Sequence, residues 1–94
     1  MTTVIITECK NPYGLFWTFK EKGSGRKLAE VDRTRKSNCG YAGYKVYAGE
    51  WPSEVARHSK KAVAMEFAKE CCRHRITDEV EFKWNVMKVV EKWR

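Results

Sequence analysis

The chain has 94 residues, 19 Lys plus Arg against 12 Asp plus Glu, a net charge of +7, and 43% hydrophobic and 13% aromatic residues. That length supports one core, so a single domain over 1–94 is expected, and the apolar content excludes a disordered tail. Apolar runs such as Val4-Ile5-Ile6 are too short for a membrane span or signal peptide, so the reading is a soluble, cytoplasmic domain without membrane contact.

Thr3 to Glu8 is a β-branched run that predicts a strand, and Asn11-Pro12-Tyr13-Gly14 predicts a turn. Leu15 to Lys20 alternates, with Leu15, Trp17 and Phe19 on one face, as a strand does. Lys22-Gly23-Ser24-Gly25 reads as a hairpin loop into a further strand over Lys27 to Arg33. After a polar connection, Tyr41 to Ala48 gives another strand, with Tyr41, Lys45 and Tyr47 sharing one face. Short connections between consecutive strands favour an antiparallel meander.

Beyond residue 50 glycine disappears. Trp51-Pro52-Ser53-Glu54 suits a helix start, and Ala64, Phe67, Ala68, Cys71 and Cys72 recur at helical spacing opposite Glu66, Lys69, Glu70 and Arg73. One long amphipathic helix over about 54–75 is therefore expected. Residues 80–86 alternate as a strand would. Against that, Thr77 can cap, Asp78, Glu79 and Glu81 fall in a first turn, and Lys88, Lys92 and Arg94 fall in a last turn. That order of charge matches a helix dipole and predicts a C-terminal helix over about 78–93. The expected fold class is α+β: a three- to four-stranded antiparallel sheet over about 3–48 packed against one long helix, with a C-terminal helix.

Candidates for catalysis are thin. His58 and His74 each sit among cations, and no nucleophile elbow or phosphate-cradling glycine motif occurs. Cys39, His58, Cys71 and His74 form an alternative zinc set, but without the paired spacing such sites use. The four cysteines read as reduced thiols of a reducing compartment. No catalytic residue, metal or cofactor is expected.

Charge placement says more than charge total. Residues 20–45 carry eight cations against three carboxylates, and residues 57–75 carry six against two. Residues 76–94 are balanced at four and four. A localised positive field attracts phosphates. Arg33, Arg35, Lys36, Lys45, Arg57, Lys60 and Lys61 are the expected phosphate contacts, with Tyr41 and Tyr47 as stacking partners. The favoured function is a small non-enzymatic module that binds RNA or DNA, alone or within a nucleoprotein complex.

The stretch Ser59-Lys60-Lys61-Ala62-Val63-Ala64-Met65-Glu66-Phe67-Ala68-Lys69-Glu70-Cys71 resembles the last helix of double-stranded RNA-binding domains. The resemblance covers thirteen residues and implies a helix behind a three-stranded sheet, with Lys60 and Lys61 on RNA phosphates. The family's leading helix, its third lysine (here Ala64) and its glycines before the serine have no counterpart here. The competing function is a phage-type or accessory inhibitor, anti-CRISPR-like or blocking a host nuclease. It would act by protein–protein binding through Trp51, Trp84 and Trp93.

Overall fold

A computed structural model describes residues 1–11, 14–34, 43–49 and 53–89, with backbone alone at 11, 34 and 86–89. Five strands form an antiparallel meander: β1 (Thr2–Asn11), β2 (Gly14–Glu21), β3 (Lys27–Thr34), β4 (Gly43–Ala48) and β5 (Ser53–His58). Helix α1 (Lys61–Arg75) then returns the chain across one face, and β6 (Val80–Val89) pairs parallel with β1. The sheet order is β5-β4-β3-β2-β1-β6. A parallel neighbour needs a long crossover, and α1 supplies it. At the start of β6 the Thr2 N–H donates to the Glu79 carbonyl at 2.8 Å.

The expected three- to four-stranded antiparallel sheet is therefore corrected to a six-stranded mixed sheet; the α+β class holds. Two elements account for the change. Residues 54–58, expected to begin the helix, belong instead to β5, with Val46 opposite Ala56 and Tyr44 opposite His58. A helix running back to residue 54 would turn Arg57, Lys60 and Lys61 onto the side of buried Ala64, so the helix begins only after extended Lys60 (φ −112°, ψ 134°).

The expected C-terminal helix is strand β6. Helix-dipole complementarity is worth about 0.3–1 kcal/mol for each charge. Pairing along β1 satisfies a whole row of backbone groups that the edge of a five-stranded sheet would leave open. The alternation of 80–86 serves this pairing, placing Val80 and Phe82 against the core and Glu81 and Lys83 on the other face.

The core lies between α1 and one face of the sheet. Val4, Ile6, Trp17, Phe19, Ala29, Val31 and Val46 share that face through their register, and Ala64, Met65, Ala68 and Cys72 pack onto it. The two fully buried alanines let the helix axis lie close to the strands. Phe67, expected on the buried stripe, is instead partly exposed, and Met65 takes its place. Two bulges adjust the faces. One near Leu28 turns it into the core and leaves Lys27 on the same face as Glu30, 3.1 Å away. The other, in β5, puts Glu54 and Arg57 on one face although they are three residues apart.

Candidate nucleic-acid interface

Strand register gathers one group of side chains at the end of the sheet where α1 begins. Arg33, Tyr44 and His58 are cross-strand neighbours on β3, β4 and β5, all on the helix-covered face. His58 is followed by Ser59 and Lys60, and Lys61 opens the helix. Tyr44 packs on Trp17 with ring centroids 5.9 Å apart, and Lys61 Nζ lies 4.7 Å above the Trp17 ring. His58 packs at a tilt on Phe67 with ring centroids 5.5 Å apart, and its Nε2 is buried without a hydrogen-bond partner among the described residues.

The electrostatics of this end follow from what is missing around it. The first turn of α1 carries no acidic residue, and Lys60 makes no side-chain cap for the N–H groups that a helix start leaves without intrahelical partners. Arg33 and Lys60 are exposed and have no ion pair among the described residues. Lys61 has one distant partner, Glu8 Oε1 at 4.0 Å. That oxygen also accepts a hydrogen bond from Trp17 Nε1–H at 3.0 Å. Trp17 thus holds both Glu8 and the ammonium of Lys61 from beneath. The result is three cations around a helix N-terminus, an arrangement that attracts anions.

The other expected contacts separate from this group. Lys45, Tyr47 and Arg57 lie on the opposite face of the sheet, where Lys45 is paired in register with both Asp32 and Arg57. Arg57 Nε donates to both Glu54 oxygens, at 2.6 and 3.0 Å. That hydrogen bond holds the Glu54 carboxyl below its ordinary range. With Glu30, Asp32 and Glu54 beside Lys27, Lys45 and Arg57, this face carries both signs of charge. Arg35, Lys36 and Tyr41 lie outside the described residues, as do Trp51 and Trp93. Trp84 is 57% exposed on β6.

Along α1 two further cations are engaged: Lys69 pairs with Glu66 at 3.2 Å and Arg73 with Glu70, and both lie over the Phe82 ring. Sequence reading missed Trp17, Tyr44, His58 and Glu8 as members of the site. Only strand register brings them to Arg33 and Lys61.

Among the described residues no three His, Cys, Asp or Glu side chains gather as a metal site, and Cys39 of the zinc alternative lies outside them. Cys9, Cys71 and Cys72 are free thiols. No described helix is long and apolar enough to cross a membrane. No protein-family model, curated protein or solved structure matches this chain. The strand–helix–strand order after β4 also differs from the order that the double-stranded RNA-binding resemblance implies, since a sixth strand follows the helix.

Proposed function

We propose that the protein is a non-enzymatic binder of nucleic-acid phosphates, alone or within a nucleoprotein complex, and that the end of the sheet bearing the α1 N-terminus is its contact surface. The observation that carries this reading is the convergence of Arg33, Lys60 and Lys61 around a helix start with no acidic first turn. Phosphate neutralisation by such cations releases counterions, which makes the affinity steeply salt-dependent. The exposed position of Arg33 and Lys60 suits backbone contact, whereas Tyr44 is braced against Trp17 and offers a stacking surface. A reducing, cytoplasmic setting fits the free thiols at Cys9, Cys71 and Cys72.

Fluorescence polarisation with labelled RNA and DNA, at low salt and across a salt series, tests this. Binding that weakens in the K60E/K61E variant supports the proposal; no binding to either polymer at low salt removes it.

A protein-directed reading is favoured by one separate observation. Trp84 is more than half exposed on β6, which ends the sheet beside β1. An inhibitor would use such an aromatic anchor beside a strand edge that no other described strand pairs with. Capture from a host lysate after nuclease treatment separates the two. A single protein partner lost in W84A favours the inhibitor reading, and retention only through nucleic acid favours the phosphate reading.

A further inference from the structure

The opposite end of α1 holds an open pocket of about 400 Å³ where the starts of β3 and β5, the end of β4 and the last helical turn meet. Arg26, Lys27 and Arg75 bring three cations to it, Ser53 brings a hydroxyl, and Leu28 and Ala48 form apolar wall. The cations differ in how far they are neutralised. Lys27 is taken by buried Glu30 at 3.1 Å. Among the described residues the Arg26 guanidinium has one ion pair, at 4.0 Å to Glu21, whose carboxylate also accepts from Ser24 Oγ at 2.6 Å. The Arg75 guanidinium has no ion pair or hydrogen bond among the described residues, and neither does the Ser53 hydroxyl.

Arg75 sits at a helix C-terminus, where a cation is at home, but its guanidinium is not simply dangling in solvent. It lies against Gly49, so that a Cβ on residue 49 would come within 3.0 Å of Nη2. Gly49 has φ +82°, which disfavours any side chain, and its N–H donates to the Leu28 carbonyl at 2.9 Å. Gly49 therefore leaves room for the guanidinium to lie against its backbone in the pocket that Ser53 also lines.

We propose that this pocket binds a phosphomonoester. Arg75 and Arg26 hold the dianion by charge-assisted hydrogen bonds, Ser53 Oγ–H donates to one of its oxygens, and Leu28 and Ala48 pack the attached organic group. Planar guanidinium forks suit phosphate oxygens better than a single ammonium does. The volume lies within the range of small-molecule sites and leaves room beyond one phosphate group for the body that bears it. The site lies at the other end of the helix from Lys60 and Lys61 and does not depend on the polyanion surface proposed above.

The test is a proton–nitrogen NMR titration of the whole chain with adenosine 5′-monophosphate, inorganic phosphate and adenosine. Saturable shifts at the Gly49 and Ser53 amides with the monophosphate, but not with adenosine, are expected. R75Q should weaken that binding about tenfold or more, R26Q should weaken it as well, and K60E/K61E should leave it unchanged. Equal responses to adenosine and its monophosphate, shifts that never saturate, or unaltered affinity in a folded R75Q would overturn the proposal. The same titration with 5′-phosphorylated and 5′-hydroxyl oligonucleotides identifies the source once the monophosphate binds. An Arg75-dependent preference for the phosphorylated end assigns nucleic-acid termini, and equal affinities assign free mononucleotides.

Discussion

Replacing Trp17 with Phe tests how the candidate interface is joined to the core. Trp17 is buried on the helix-covered face, donates to Glu8 at 3.0 Å and carries Lys61 above its ring. Phe replaces the nine-atom indole with a six-carbon ring, a net loss of two carbons and the N–H. Loss of two buried carbons costs roughly 1.5 kcal/mol at about 0.8 kcal/mol each. The hydrogen bond to a carboxylate contributes about 1.5 kcal/mol, the lower part of its usual range, because Glu8 keeps some access to water. The weaker cation–π contact with a half-exposed lysine adds about 0.5 kcal/mol. W17F should therefore lose about 3.5 kcal/mol, a large part of the roughly 5–14 kcal/mol expected for a domain of this size.

Urea unfolding followed by far-ultraviolet circular dichroism measures the loss, and a W17F/E8A double-mutant cycle isolates the hydrogen-bonded part. A coupling of about 1–2 kcal/mol is expected. Coupling near zero, or a W17F variant as stable as the parent, would refute the reasoning that Trp17 anchors Glu8 and, through it, Lys61.

Three other outcomes follow from the packing and the titration of particular groups. A68L should cost about 1–3 kcal/mol by forcing α1 away from the strands, lowering Tm by roughly 4–8 °C per kcal/mol in a thermal melt. W84A should change Tm little, since the indole is mostly in water, and a large drop would mean that Trp84 is part of the core. Burial pushes the Cys72 thiol up to about 12. Its folded-state pKa is raised, so the stability it contributes is complete below the ordinary thiol range and declines as pH climbs from there toward 12. The decline should approach about 1.4 kcal/mol per pH unit. Urea midpoints at pH 8 to 10.5 should fall more steeply in the parent than in C72A, and parallel curves would contradict the assignment.

Much of the sheet was legible because alternation is local. Trp17 and Phe19, or Tyr44 and Val46, declare a shared face within a few residues of sequence. The helix was legible in its middle, where Ala64, Ala68 and Cys72 mark a stripe, but not at its start. Nothing in Ser53 to His58 states that Tyr44 and Val46 stand ready to pair with it, and that pairing converts a weak helical stretch into β5. The same reasoning applies to Val80–Val89, whose charge order argued for a helix while the open side of β1 argued for a strand. The long-range ladder won. The interface suffered most from this, since Arg33, Tyr44, His58 and Lys61 are up to 28 positions apart in sequence and become neighbours only through register. Lys45, Tyr47 and Arg57 looked equivalent to them as basic or aromatic residues. The pleat and the β5 bulge put them on the other face, with Arg57 turned onto Glu54.

The central claim is that Arg33, Lys60 and Lys61 neutralise phosphates at the start of α1. The most direct measurement is the slope of log affinity against log salt for a short DNA duplex, in the parent and in K60E/K61E. Three neutralised phosphates predict a slope of about −2.7 in the parent, and loss of two contacts predicts a slope shallower by about 2 in the variant. A slope that stays the same after both lysines are reversed would place the contact surface elsewhere and contradict the account.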